Sequence, residues 1–178
     1  MTLNVDSNIE LREIQLSDAS IIFNTIDNQR TYLGEWLPFV ATTTGINDIE
    51  AFINSVLNPT QDKCDYTFTI SYNTNFAGII SLKDTDMQNK KTEIGYWLSQ
   101  DFQGKGIVSK SVETLCDFAF NEMHLNRIQI KCAVENVKSK QIPERLGFQF
   151  EGIERDGELL TGNRYTDLAV YSKLSNDR

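Results

Sequence analysis

A mixed α/β fold is the class this sequence predicts, on three observations. Several short segments alternate apolar and polar residues with period two, others repeat apolar residues every three or four positions, and one stretch runs strand, helix, strand. At 178 residues, with 40% hydrophobic content that includes ten Phe, six Tyr and two Trp, the chain can bury a core as one domain spanning 1–178.

The elements follow in order. Residues 9–14 alternate as a first strand, and Ser17 with Asp18 is a helix start, the helix continuing to Asp27. The aromatic segment 32–39 is broken by Gly34 and Pro38 and reads as a short helical turn and loop. Asn47 or Asp48 caps a second helix, in which Ile49, Phe52, Ile53, Val56 and Leu57 recur on one face. Tyr66, Phe68, Ile70 and Tyr72 alternate with polar residues, Asn73-Thr74-Asn75 turns the chain, and 76–82 returns as the hairpin partner. After a polar loop, 92–98 is a fourth strand. Val108, Val112, Leu115, Cys116 and Ala119 form a helix stripe, and Ile128, Ile130, Cys132 and Val134 alternate again, completing a βαβ unit. A short helix is expected over 139–146, with Pro143 in its first turn and Gly147 ending it. Two last strands, 148–154 and 165–174, are joined by a loop holding Gly157 and Gly162, for seven strands in all.

Composition excludes some functions. A net charge of −8 argues against nucleic-acid binding, which favours a basic stripe, and suits a cationic partner. Residues 1–65 carry three basic residues against ten acidic, whereas 101–145 carry seven against six. An acidic front half suits a cationic substrate, and a less acidic middle suits an anionic cofactor. Cys64, Cys116 and Cys132 have no C-x-x-C spacing and read as reduced thiols. The lone histidine, His124, is read as a helix-end residue, since one histidine supplies neither a metal site nor a convincing catalytic triad. No metal is expected. No apolar run approaches the roughly 20 residues of a bilayer span, and Met1 to Asp6 lack signal-peptide features, so a cytoplasmic protein is expected. A homo-oligomer is compatible with these features.

The segment most informative about chemistry runs from Glu93 to Val108. A strand passes through Gln103-Gly104-Lys105-Gly106 straight into a helix, whose free N–H groups and dipole make a phosphate site. Two glycines before a helix are, by themselves, also an ordinary turn. A Walker loop fails because no Lys-Ser or Lys-Thr stands in register, and the dinucleotide fingerprint fails because its third glycine would be Ser109.

Gln103, Gly106 and Val108 occupy the fixed positions of Q/R-x-x-G-x-G/A, with Val108 a departure from Gly or Ala. Asn136-x-x-Ser139 followed by Pro143-Glu144-Arg145-Leu146-Gly147-Phe148 is a second match. On these motifs the chain resembles the GNAT acyl-CoA N-acyltransferase superfamily, and within it the ribosomal-protein N-terminal (alanine/serine) acetyltransferase branch. That resemblance implies a mixed, mostly antiparallel seven-stranded sheet, with splayed fourth and fifth strands and helices on both faces. It also implies acetyl-CoA as co-substrate and direct attack by an amine in a ternary complex.

The resemblance also implies roles for residues. Tyr96, Trp97 and Leu98 would line the pantetheine arm, with a backbone N–H near Leu98 as oxyanion donor. Gln103, Gly104, Lys105, Gly106, Ile107, Val108 and Ser109 would hold the phosphates, and Asn136 would bond the pantetheine or shape the helix start. Glu158 would be the general base, against the alternative of a solvated loop glutamate. Ser139 would donate to the leaving thiolate or to the cofactor, because Pro143 stands where many members have an acidic tyrosine. Lys105, Lys110 and Lys140 are candidates for the phosphates. Tyr32, Trp36 and Phe39 either pack in the core or, with Glu35, wall the amine end. The expected acceptor is a protein N-terminal amine, with a small amine (polyamine, amino acid or aminoglycoside) or a non-catalytic acyl-CoA-binding module as alternatives.

Overall fold

The computed structural model describes residues 1–58 and 64–177, and in them eight strands form one sheet. The strands are β1 (Thr2–Asn4), β2 (Ile9–Glu13), β3 (Tyr66–Tyr72), β4 (Asn75–Asp86), β5 (Lys91–Leu98), β6 (Arg127–Ala133), β7 (Gln149–Leu160) and β8 (Arg164–Leu174). Their order is β1-β2-β3-β4-β5-β6-β8-β7, antiparallel throughout except for β5 beside β6. The eighth strand is β1, three residues too short to show a period, which pairs with β2 at the sheet edge.

Helices cover both faces. On one, α1 (Ala19–Asn28), α2 (Arg30–Leu33), α3 (Phe39–Thr42) and α4 (Ile46–Leu57) bury Ile22, Ile26, Ile49 and Ile53 with Ile79 of β4, and Trp97 of β5 packs against this cluster. On the other, α5 (Ile107–Asp117) and α6 (Val137–Arg145) lie over Ile80, Leu82, Ile94, Ile128 and Ile130. No described helix is long and apolar enough to cross a membrane.

Local chemistry sets the boundaries. A 3-10 turn over Leu16–Asp18 precedes α1, and the Asp18 carboxylate accepts from Gln15 N–H at 2.7 Å and Arg12 Nη2 at 2.6 Å. Helix α4 starts one residue before Asn47, and Asp48 caps it from within the first turn by accepting the N–H groups of Thr44 and Gly45. The hairpin turn after β3 has Asn73 and Thr74 both at positive φ, the twist that two-residue hairpins need. Helix α6 begins at Val137, two residues earlier than expected, because Asn136 Oδ1 accepts from Ser139 N–H at 3.1 Å. Pro143 is therefore its seventh residue, outside the first turn.

Two features position the site. Strands β5 and β6 pair only from Lys91 with Arg127 to Glu93 with Gln129, then splay, leaving one edge of Gly95–Leu98 free. Opposite, Gly78 of β4 pairs with Leu98 so closely that a Cβ there would lie 2.2 Å from the Trp97 carbonyl oxygen. That contact is with backbone, so Gly78→Ala is expected to cost about 2–4 kcal/mol in urea denaturation, because the strands must separate.

Candidate active site

A cavity of about 830 Å³ opens where β5 and β6 part, between the first turns of α5 and α6. Tyr96, Trp97, Leu98, Gln103, Gly104, Lys105, Gly106, Ile107, Val108, Ser109, Asn136 and Ser139 all line it. Gly104 and Gly106 are left-handed at φ 74° and 70°, which turns the chain sharply from β5 into α5. The first bond of α5 runs from Lys110 N–H to Gly106 C=O at 3.1 Å, so the N–H groups of Ile107, Val108 and Ser109 precede the helical ladder and are available to an anion. Val108 packs into the core while still bordering the cavity, so its extra methyl groups are largely absorbed inward.

The free edge of β5 supplies hydrogen-bonding backbone. Ser99 N–H is spent on Ala77 C=O of β4 at 2.7 Å; strand alternation therefore turns the Leu98 N–H and C=O toward the splay. Tyr32 O–H donates to that Leu98 carbonyl at 3.3 Å and accepts from Gln103 Nε2. Lys138 Nζ in turn donates to Gln103 Oε1 at 3.0 Å. Burial raises the Tyr32 phenol, with the Gln103 contact opposing and the Glu35 carboxylate adding to the rise.

Below this edge Tyr96 O–H donates to the Ser139 carbonyl at 3.1 Å, and its oxygen lies 3.3 Å from Ser139 Oγ. Burial pushes the Cys132 thiol up to about 11, an effect the Ser139 hydroxyl partly offsets, which makes this thiol a poor nucleophile at neutral pH.

Glu158 lies elsewhere. The expected loop is part of β7, which runs on past a bulge to Leu160 and pairs Glu158 with Thr166, leaving only 161–163 as the turn. Its charged neighbours are Lys83 and Glu93, on the face of β5 that carries Trp97, opposite to Tyr96. Burial raises the Glu158 carboxyl above its ordinary value; the Lys83 ammonium opposes the rise and the Glu93 carboxylate adds to it. Lys83 itself is anchored to Glu93 at 2.8 Å and crosses the bare surface of Gly95, its Cε 3.2 Å from where a Cβ would stand. The hairpin tip reaches over this side, where Arg164 stacks 5.8 Å from the Trp36 ring and meets Glu135 at 3.3 Å.

Other expectations divide. Tyr32, Glu35 and Trp36 line the cavity, whereas Phe39 does not and stands 40% exposed on α3. Lys105 lines it with its ammonium over Tyr72 and Phe102, but Lys110 is committed to Asp6 at 2.6 Å and Lys140 lies outside the lining. The cations that sequence reasoning missed are Lys138 and Arg145, the latter donating to Ser109 Oγ at 3.2 Å. Their position on the inner side of α6 depends on where that helix starts. Among the described residues no cluster suited to a metal ion is present.

The cavity's size, its helix amides and its cationic rim fit an elongated, phosphate-bearing ligand. Comparison with known proteins agrees. A family model described as acetyltransferase (GNAT) domain matches residues 8–149. YdaF of Bacillus subtilis strain 168, whose name gives it provisionally as a ribosomal N-acetyltransferase, is 35% identical over 99% of this chain and 96% of its own. The ribosomal-protein-serine acetyltransferase of Escherichia coli K12 is 28% identical over 97% and 96%. A solved structure of RimL, a ribosomal-protein α-N-acetyltransferase in complex with coenzyme A, superposes with a TM-score of 0.92 at 26% identity, covering 98% of both chains.

Proposed function

Because this chain belongs to the acetyltransferase (GNAT) domain family and is an acetyl-CoA-dependent N-acetyltransferase, we propose that it acetylates the N-terminal amine of a ribosomal protein, working as one domain over 1–178. The observation that carries this reading is the cavity at the parting of β5 and β6, which joins the free amides of Ile107, Val108 and Ser109 to a wall of Tyr32, Glu35 and Trp36. The whole-chain similarity to the ribosomal-protein-serine acetyltransferase, and to YdaF, supports the acceptor class.

Bound acetyl-CoA supplies the acetyl group as a thioester. The amides of Ile107, Val108 and Ser109, with Lys105, Lys138 and Arg145 nearby, hold its phosphates. The Leu98 carbonyl and N–H face the arm, and the N–H donates to the thioester oxygen as it gains charge. Glu158 takes the proton of the acceptor ammonium, directly or through water, so that nitrogen can attack the carbonyl carbon. A C–N bond forms, the C–S bond breaks with its electron pair going to sulfur, Ser139 Oγ–H hydrogen-bonds the departing thiolate, and the second proton shed by the acylated nitrogen passes through water to that sulfur, giving the thiol. Glu35, Tyr32 and Trp36 wall the acceptor side, where a carboxylate and aromatic faces suit a cationic peptide end.

The test is thiol release from acetyl-CoA with a panel of N-terminal peptides, their N-formylated forms and small amines. Free peptides are expected to turn over at kcat/KM values at least about tenfold above any small amine, and formylated peptides not at all. Preference for a polyamine or amino acid overturns the protein acceptor, and binding without any turnover points to a non-catalytic acyl-CoA module.

A further inference from the structure

Pro143 leaves its mark on the site one helical turn away, at Ser139. A proline inside a helix brings no N–H to the carbonyl four residues before it. In α6 that carbonyl belongs to Ser139, and the donor it receives is the Tyr96 hydroxyl of β5 at 3.1 Å. The same phenol oxygen lies 3.3 Å from Ser139 Oγ. Tyr96 therefore holds both polar ends of Ser139, across the gap opened by the splay of β5 and β6. Ser139 N–H is fixed separately by Asn136 Oδ1 at 3.1 Å.

We propose that Tyr96 is a positioning residue for acetyl transfer: using the carbonyl that Pro143 leaves free, it pins the first turn of α6 to β5 and orients the Ser139 hydroxyl toward the leaving sulfur. With its one hydrogen given to the carbonyl, the phenol oxygen accepts from Ser139 Oγ–H in the resting site. When Ser139 donates to the thiolate instead, the phenol remains against the Ser139 oxygen and limits its rotamers. Burial raises Tyr96 far above the ordinary phenol value, so it stays protonated through the working range and keeps its hydrogen bond to the carbonyl. The role requires no proton transfer to or from Tyr96.

The proposal rests on Ser139 acting at the thiolate, and a double-mutant cycle separates the two ideas. The cycle is run in a Pro143→Ala background, where residue 143 supplies the carbonyl with a backbone donor and loss of Tyr96 O–H leaves nothing buried and unpaired. There Ser139→Ala is expected to lower kcat about tenfold and Tyr96→Phe about fivefold, with KM for acetyl-CoA within about twofold because the ring remains. The Tyr96→Phe/Ser139→Ala pair should be no slower than Ser139→Ala alone. If Tyr96→Phe costs the same with Ser139 present or absent, Tyr96 does not act through that hydroxyl and the proposal fails. If Ser139→Ala leaves kcat unchanged, the thiolate role of Ser139 fails first, whatever Tyr96 does. Thermal unfolding supplies the second control. Tyr96→Phe in the native chain should lower Tm, and adding Pro143→Ala should restore Tm without restoring kcat; recovery of both would make Tyr96 a structural tie only.

Discussion

Glu158→Gln is expected to lower kcat/KM by about 10²–10³-fold and to remove the acidic limb of its pH profile, with acetyl-CoA affinity unchanged. The size follows from losing a general base while retaining shape and a hydrogen-bonding oxygen. The pH dependence follows from the environment of the carboxyl. As the proposed general base Glu158 must be ionised, so its raised proton affinity predicts activity above that shifted value and loss as pH falls through it. The direction of the shift has separable causes. Lys83→Met removes the ammonium that favours the ionised form, so the limb should move to higher pH. Glu93→Gln removes a like charge and should move it to lower pH, tempered because Lys83 loses its 2.8 Å anchor. The carboxyls facing away do not enter this balance: Glu154 is paired with Lys131 at 2.7 Å, and Asp167 accepts from Asp156 N–H. Initial rates of a peptide substrate from pH 5 to 9 measure all three variants. A full rate and an intact limb in Glu158→Gln would remove Glu158 from the chemistry.

The proposed cofactor half of this candidate site is legible in the sequence because it is local. Gln103 to Ser109 is one turn followed by one helix start, and backbone amides at a helix N-terminus need no distant partner to form an anion site. Asn136 to Ser139 is likewise a cap and its helix. The proposed acceptor half is less legible because the position of Glu158 depends on register. Where β7 ends is decided by bulges at Phe150/Gly152 and Glu154/Glu158, and these put Glu158 within a long hairpin rather than in a loop. Glycines marked that stretch as a loop, yet Gly157 sits where a Cβ would come within 2.8 Å of Leu168, a requirement of close pairing and not of a turn. Lys83 and Glu93 had no motif to advertise them. Their closeness to Glu158 arises from the lateral order of β4, β5 and the folded-over hairpin. Pro143 shows the same limit, because its consequence is a hydrogen bond from a strand 43 residues away from Ser139. β1 was too short for any periodic signal, and its partner register with β2 alone defines it.

Gly106→Trp is expected to weaken acetyl-CoA binding by at least about 10²-fold, measured by isothermal titration, while the protein remains folded. Two effects would be confused in a single variant, and the geometry separates them. Gly106 is left-handed at φ 70°, so any side chain costs about 1–2 kcal/mol of backbone strain at the N-cap of α5. Yet no protein atom lies within 4 Å of the Cβ that a substitution would add, and the residue lines the cavity. An indole therefore has room to grow into the cavity rather than into the core, beside the three amides that precede the helical ladder. Gly106→Ala carries the strain with almost none of the bulk. It should lower Tm by nearly as much as Gly106→Trp but reduce affinity only about threefold to tenfold, through displacement of the Ile107 and Val108 amides. Equal affinity losses in the two variants would mean that backbone shape at this turn, and not occupied space, governs binding. Unchanged affinity in Gly106→Trp would mean that the phosphates bind elsewhere, and the assignment of Gln103 to Ser109 as the cofactor cradle would fall with it.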